Sequence, residues 1–318
     1  MWSDKKKKQV AMEKNIKYIS ASSLGQYEKQ PNTFFAQRLI KDALEREEAG
    51  LAAHVGTAFD IEVKKKLLDL GVPISEGITL EDILRSRGDC EHTKQAKVQG
   101  LDILKQYHRA KIMTNGNSLP LARDWKQVEG KYYFTIDGVP ILALLDAVVR
   151  DPSTKQLVPF DWKVIGGAAK TGVSPKKGFA GVCISGAWGK PHKLYTEWEA
   201  KSPNSGYEGV NIPMELIDDK FATQFCIYGW ALQDNPGRIN FRPFPVHFDS
   251  AVYNGKDRTI KIYTYRAICS VEWQEKVLDR LQVMWRDLST GGHSLIRRLT
   301  SKNNITVIKG AAKDESWF

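Results

Sequence analysis

The chain of 318 residues is long enough to bury a sizeable core, as one large domain or at most two small ones. Its residues are 42% hydrophobic and 26% charged, as in an ordinary soluble globular protein, and no apolar run is long enough to span a bilayer. Lys and Arg number 47 against 37 Asp and Glu, and this net charge of +10 favours a polyanionic partner. An anionic membrane surface, or no such partner at all, fits the same charge, so charge alone does not decide.

The N-terminus and the cysteines indicate a reducing compartment inside the cell. Lys5 to Lys8 are followed by no apolar stretch, so we expect no signal peptide and a cytoplasmic location. The four cysteines lie far apart, with neither a C-x-x-C pair nor a histidine at zinc-finger spacing. This pattern favours free thiols over a zinc site or a disulfide framework.

The first part of the chain is predicted to be a basic arm followed by helices. Residues 1–17 are rich in lysine and are predicted to form a flexible arm. Ser20 and the serines after it offer N-caps for a first helix, which Pro31 interrupts before the helical spacing resumes. Apolar residues at helical spacing predict the later helices, over about 55–70, 79–86 and 93–113.

A three-stranded meander is predicted next. Alternating apolar and polar residues predict a strand over about 132–136, and residues 137–138 are an Asp-Gly hairpin signal. Residues 141–149 are almost all apolar, which predicts a strand buried on both faces. After a turn at 151–153, the third strand is predicted over 157–165.

The remaining sequence predicts a long loop, a helix, two strands and a final helix. Residues 166–210 are rich in Gly, Lys, Ser and Pro, and are predicted to be a loop or insertion. Pro213 is predicted as the first residue of a helix that runs to about Gln233. Two strands and an amphipathic helix are predicted over about 241–253, 258–267 and 271–288. Together these elements predict a single α/β domain over 18–300, with a mixed sheet flanked by helices, and a tail over 301–318.

Charged residues inside two apolar strands are the strongest functional signal. Asp146 interrupts the second strand of the meander, and Asp161 interrupts the third. The short turn between these strands pairs them antiparallel, which can bring the two carboxylates side by side. Because side chains alternate along a strand, Asp161 and Lys163 point to the same face. Two carboxylates and one ammonium group are therefore predicted to converge.

Such a cluster suits phosphoryl transfer. Hard oxygen ligands favour Mg²⁺ or Mn²⁺, which neutralises charge in the transition state and lowers the pKa of bound water. A lysine beside the ion can orient or deprotonate the attacking water. A buried Asp–Lys salt bridge is the structural alternative, but two carboxylates against one lysine leave a surplus negative charge.

This sequence resembles the core of the PD-(D/E)XK nuclease superfamily, in its RecB-like exonuclease branch. Besides the D-x(14)-D-x-K hairpin, three stretches agree with the branch in order and spacing. They are the opening helix from Ser20 to Phe34, the G-x-x-x-D stretch from Gly56 to Asp60, and the Q-x-x-x-Y stretch from Gln224 to Tyr228. The resemblance covers most of the chain and implies a restriction-endonuclease-like fold.

The resemblance also implies a role for each matched residue. Asp146 and Asp161 are expected to ligate one or two Mg²⁺ or Mn²⁺ ions, assisted by the backbone carbonyl of Trp162. Lys163 is expected to position or activate the attacking water, and Asp60 to face the same site from its helix.

Two further matched residues lie on one helix. Gln224 and Tyr228 are one helical turn apart on the same face. The resemblance implies that they support Lys163 or contact the DNA backbone.

The helix that carries Asp60 departs from the family pattern. The branch usually has histidine at this position, so the number and the preference of the metal ions stay open. Glu62 is the alternative ligand, but it lies about 200° around the helix from Asp60, so both cannot serve. His54 is expected to be structural. The run from Lys64 to Lys66 is predicted to be a solvated helix face, with a phosphate contact as the alternative.

The long basic insertion offers a second hypothesis about DNA. Lysines and aromatic residues interleaved in this way suit phosphate contacts and base stacking along a DNA strand. A solvated loop with a few buried aromatics is an equal alternative. The candidate DNA-binding residues are Lys170, Lys176, Lys177, Lys190 and Trp188.

The sequence thus predicts a Mg²⁺- or Mn²⁺-dependent deoxyribonuclease, more specifically an exonuclease of recombination, repair or replication. One alternative is a structure-specific or defence endonuclease of the same fold. Another is an inactive module that only binds DNA. No membrane partner is expected, and the acidic, then aromatic residues 314–318 suggest either a peptide that docks on a partner protein or an unstructured end.

Overall fold

We describe the chain from a computed structural model. It describes residues 10–11, 16–39, 51–79, 81, 93–109, 124–151, 154–166, 182–183, 211–214, 217–233, 241–253, 260–289 and 307–308. Most of the helix predicted over 79–86 lies outside these residues, as do residues 314–318, predicted as a docking peptide or an unstructured end, and all five DNA-binding candidates of the insertion.

Apart from a two-residue strand at Val10–Ala11, the described elements are α-helical in the first third of the chain and mixed after it. The helices are α1 (Ala21–Lys29), α2 (Pro31–Arg38), α3 (Leu51–Asp69), α4 (Thr93–Arg109), α5 (Asp219–Ala231) and α6 (Val271–Ser289). The strands are β1 (Val10–Ala11), β2 (Asp124–Ile136), β3 (Val139–Arg150), β4 (Leu157–Gly166), β5 (Val182–Cys183), β6 (Asn211–Pro213), β7 (Phe244–Tyr253), β8 (Ile260–Cys269) and β9 (Val307–Ile308).

The main sheet is mixed, as the sequence predicted. Its long strands follow the order β2, β3, β4, β7 and β8, and the short strands β5 and β6 both pair with β8. The meander from β2 to β4 is antiparallel, β4 pairs with β7 in parallel, and β7 and β8 form an antiparallel pair. The parallel step between β4 and β7 requires a crossover, which contains α5.

Helices cover both faces of this sheet. On one face, α1, α5 and α6 pack against the sheet around a core that includes Phe225 and Phe248. On the other face, α3 and α4 pack around Phe59, Phe160 and Trp162. Phe160 and Trp162 alternate along β4 with Asp161 and Lys163, which therefore point toward α5.

The prediction that β3 is buried on both faces is right for most of the strand. Leu144 is the exception, because its side chain is 50% exposed. It lies two residues from Asp146 and marks a part of the sheet face that is open to solvent.

The predicted start of α5 at Pro213 is wrong. Pro213 ends the short strand β6, which pairs in parallel with β8, and does not begin a helix. The helix begins after Asp218, whose carboxylate accepts a hydrogen bond from the backbone N–H of Lys220. A side-chain cap at Asp218 satisfies an N–H that would otherwise lack a partner, and proline carries no such cap.

Short strands also occur in segments that were predicted to lack regular structure. β1 lies in the predicted N-terminal arm and β9 in the predicted tail, and the two pair in parallel. β5 lies in the predicted insertion. Among the described residues, no helix is long and apolar enough to cross a membrane.

Candidate active site

The site lies where β3 and β4 separate. Their pairing runs from Arg150 opposite Leu157 to Ala147 opposite Phe160. Asp146 and Asp161 are the next residues beyond this last pair, while β4 goes on to pair with β7. The two carboxylates thus come together at a fork in the sheet, as the sequence predicted.

Lys163 lies between a carboxylate and an amide. Its Nζ donates hydrogen bonds to Asp161 Oδ2 at 2.6 Å and to Gln224 Oε1 at 2.9 Å. The same ammonium lies 4.8 Å from the centre of the Phe221 ring and 5.6 Å from that of Phe225, distances that allow cation–π attraction. Lys163 is therefore held in one place on the α5 side of the sheet.

Gln224 and Tyr228 extend this chain of hydrogen bonds. The Gln224 amide nitrogen donates to the Tyr228 hydroxyl at 2.5 Å, and this bond fixes which amide atom faces Lys163. Burial raises the pKa of Tyr228 well above its usual value, and the nearby Asp161 and Asp146 carboxylates raise it further. The tyrosine is thus held neutral. Gln224 thus contacts Lys163 directly, and Tyr228 reaches it through Gln224.

Asp161 is the most deeply buried carboxylate of the cluster. Its side chain is 1% exposed, and Oδ1 accepts no hydrogen bond from the described residues. Burial raises its pKa above the usual value; Lys163 opposes this rise, and Asp146 adds to it. A buried carboxylate oxygen without a donor, beside a second carboxylate, needs a cation or a proton.

A second lysine, Lys64 of α3, is completely buried on the other side of Asp146. Its Nζ lies 2.8 Å from Asp60, 2.5 Å from Glu129 and 3.2 Å from Asp146. The prediction that this lysine belongs to a solvated helix face is wrong. The cause is its i,i+4 spacing from Asp60, which brings both residues to the face of α3 that packs on the sheet.

Glu129 is a site residue that the sequence analysis missed. Val128 pairs with Ala147 and Gly130 with Leu145, so Glu129 lies opposite Asp146 on the neighbouring strand. Its φ of 55° is unusual for a residue that is not glycine and marks an irregularity in β2. Burial raises the pKa of Glu129, although Lys64 opposes the rise. No family motif covers Glu129, and only the strand register reveals it.

The other candidate ligands, Asp60, Glu62 and Trp162, differ in whether their side chains reach the cluster. Asp60 faces the cluster, whereas Glu62 pairs with Lys65 at 3.1 Å, so the two do not share a site. The Trp162 side chain is buried in the core on the α3 side, stacked on Trp125. Any contribution of Trp162 to a metal site is therefore limited to its backbone carbonyl.

The arrangement can accept a cation between Asp146 and Asp161. These residues offer hard oxygen ligands, and Asp161 Oδ1 lacks a donor among the described residues. No three His, Cys, Asp or Glu side chains in the described part of the chain form a ready-made metal site. Three of the four carboxylates instead form ion pairs with the Lys64 ammonium.

Comparison with protein-family models, with curated proteins and with solved structures finds no match to this chain. The fork and its two lysines are the features of the described chain that bear on its function.

Proposed function

We propose that this protein is a Mg²⁺- or Mn²⁺-dependent deoxyribonuclease with a PD-(D/E)XK core. The observation that carries the proposal is the fork at β3 and β4, where Asp146 and Asp161 meet and Lys163 is held beside them. A protein that only binds DNA gains little from a buried carboxylate without a donor, since that group lowers stability. A metal-dependent hydrolase needs that group.

Each residue has a distinct task in this proposal. Asp146 and Asp161 would hold the divalent ion, which when bound supplies a hydroxide-like water and neutralises phosphate charge. Lys163 donates two hydrogen bonds, to Asp161 and Gln224. Its third proton would then serve the attacking water or the scissile phosphate. Gln224 and Tyr228 keep the ammonium in this orientation. The net charge of +10 favours approach of a polyanion.

The resemblance to the RecB-like branch favours exonucleolytic action, in recombination, repair or replication. The experiment is cleavage of labelled linear and closed circular DNA, single- and double-stranded, with Mg²⁺, Mn²⁺ or EDTA. We expect metal-dependent loss of linear DNA only, and no cleavage by Asp161→Asn. Cleavage of circular DNA would replace the exonuclease by an endonuclease. Salt-sensitive binding without cleavage under any of these ions would instead support a binding module.

A further inference from the structure

We propose that Lys64 takes the place of a second metal ion, so that this site works with a single divalent ion. The inference rests on the proposed function, and it concerns the number of ions that the sequence left open. Its basis is the position of the Lys64 ammonium among three carboxylates, with no exposed surface.

The contacts of Lys64 are those expected of a bound cation. Its Nζ lies within 3.2 Å of carboxylate oxygens from three separate elements: Asp60 on α3, Glu129 on β2 and Asp146 on β3. A divalent ion at this point would use the same oxygens. The ammonium and the ion therefore exclude each other.

The surroundings of the carboxylates differ between the α3 side and the α5 side of Asp146. On the α3 side, Lys64 already supplies positive charge to the carboxylates. On the α5 side, Asp161 Oδ1 is buried without a donor among the described residues. A buried carboxylate oxygen that a cation could bind thus remains on the α5 side.

The charges of the described residues agree with one ion. Four carboxylates (Asp60, Glu129, Asp146 and Asp161) meet two ammonium groups (Lys64 and Lys163), which leaves two negative charges when all are ionised. One divalent ion balances this surplus. A second ion in place of Lys64 would instead leave a net positive charge of one, before any substrate phosphate binds.

The test counts bound Mn²⁺ by equilibrium dialysis, with and without a short phosphorothioate oligonucleotide. We expect one ion per chain in the wild type and two in Lys64→Met, which frees three carboxylates without a large change in side-chain volume. Lys65→Met is the matched control, because Lys65 pairs with Glu62 and its side chain is 40% exposed. This control should keep one ion.

Each outcome decides between the claims. Two ions in the wild type would show that Lys64 is displaced and would overturn the inference, and this count does not depend on the folding of any variant. One ion in a Lys64→Met protein that circular dichroism shows to be folded would also overturn it. No Mn²⁺ bound by the wild type in either condition would refute the proposed metal-dependent function itself.

Discussion

The free-energy cost of burying charge determines which charged side chains of the site need partners. An isolated ion costs several kcal/mol to remove from water, so buried charges persist only where partners or hydrogen bonds compensate them. Lys64 and Lys163 are compensated by carboxylates, whereas one oxygen of Asp161 lacks a donor among the described residues. This oxygen needs a cation or a proton, and a divalent ion would meet that need in the proposed enzyme.

Gln224 is a positioning residue, and its removal should slow cleavage. Gln224→Met removes the oxygen that accepts from Lys163, so the ammonium loses its second anchor. We expect the rate of DNA cleavage at saturating metal to fall about 10- to 100-fold, as for outer partners of metal ligands. Mn²⁺ affinity should change far less, since Gln224 contacts neither proposed ligand in the described geometry except through Lys163. An unchanged rate would show that Gln224 does not position Lys163.

Asp161 should lower the stability of the metal-free protein. In Asp161→Asn, the new amide N–H₂ can donate toward Asp146, while the retained oxygen still accepts from Lys163. We expect the variant to be about 1–3 kcal/mol more stable than wild type in EDTA, by urea denaturation. Mn²⁺ should then stabilise the wild type and not the variant. A variant less stable than wild type in EDTA would contradict this account of Asp161.

How far the sequence reveals the site depends on the range of the interaction. The convergence of Asp146, Asp161 and Lys163 follows from strand alternation and one short turn, so it could be predicted. Lys64 and Glu129 could not, because their positions depend on how α3 packs on the sheet and on an irregularity in β2. A run of three lysines is typical of a solvated face, and only tertiary packing buries one of them.

At the scale of elements, the position of α3 decides where Asp60 and Lys64 lie. α3 packs on β4 near Gly56, where a Cβ would lie at an ordinary contact distance of 3.6 Å from the Val164 side chain. Gly100 of α4 allows a closer approach on the other side. A Cβ at Gly100 would lie 2.7 Å from the backbone nitrogen of Phe59, next to Asp60. The close packing of α4 on α3 thus helps to hold Asp60 against the sheet.

Gly100→Ala should therefore destabilise the protein. The added methyl group meets backbone rather than a movable side chain, and we expect a loss of about 1–3 kcal/mol in the free energy of unfolding. Gly25→Ala in α1 is the matched control, because a Cβ there meets nothing within 4 Å. This control should be neutral or gain up to about 1 kcal/mol from helix propensity. Equal effects of both substitutions, measured by urea denaturation, would argue against close packing of α3 and α4.

Some element boundaries could be predicted from the sequence, and others could not. The strands and helices with strong periodicity, such as β3, β4 and α6, lie close to their predicted bounds. The start of α5 does not, because Pro213 and Asp218 are both good helix-start signals. The pairing of β6 with β8 decides between them, and a pairing with a strand so distant in sequence leaves no local pattern.

At the scale of the whole molecule, a buried ion network joins the meander to the β7–β8 hairpin. Asp151 at the end of β3 is completely buried, and its Oδ2 lies 2.7 Å from both His247 Nε2 and Arg266 Nε. Burial alone raises the pKa of Asp151, but hydrogen bonds from His247 and Arg266 outweigh burial and hold the pKa well below its usual value. The network ties together the strands on either side of the fork, and no motif pointed to it.

Asp151→Asn should destabilise the whole fold, in contrast to Asp161→Asn. It removes the negative charge that faces the buried Arg266 and His247, and we expect a loss of about 3–5 kcal/mol in the free energy of unfolding at neutral pH. Because the folded-state pKa is depressed, this contribution is present above the unfolded pKa of about 3.9 and is lost as the pH falls below it. Urea denaturation from pH 7 to pH 3 should show the difference between wild type and variant shrinking below about pH 4. A difference that stays constant over this range would rule out an ionised Asp151 as its source.

The cleavage rate of Lys163→Met tests whether Lys163 belongs to a nuclease active site. Wild type and Lys276→Met, on the exposed surface of α6, are the comparisons. We expect wild type and control to hydrolyse DNA with Mg²⁺ or Mn²⁺. Lys163→Met should lose about 100-fold or more of this rate while still binding Mn²⁺. Cleavage by Lys163→Met at the wild-type rate would contradict the assignment of the site. The absence of metal-dependent cleavage by the wild type would contradict the nuclease itself.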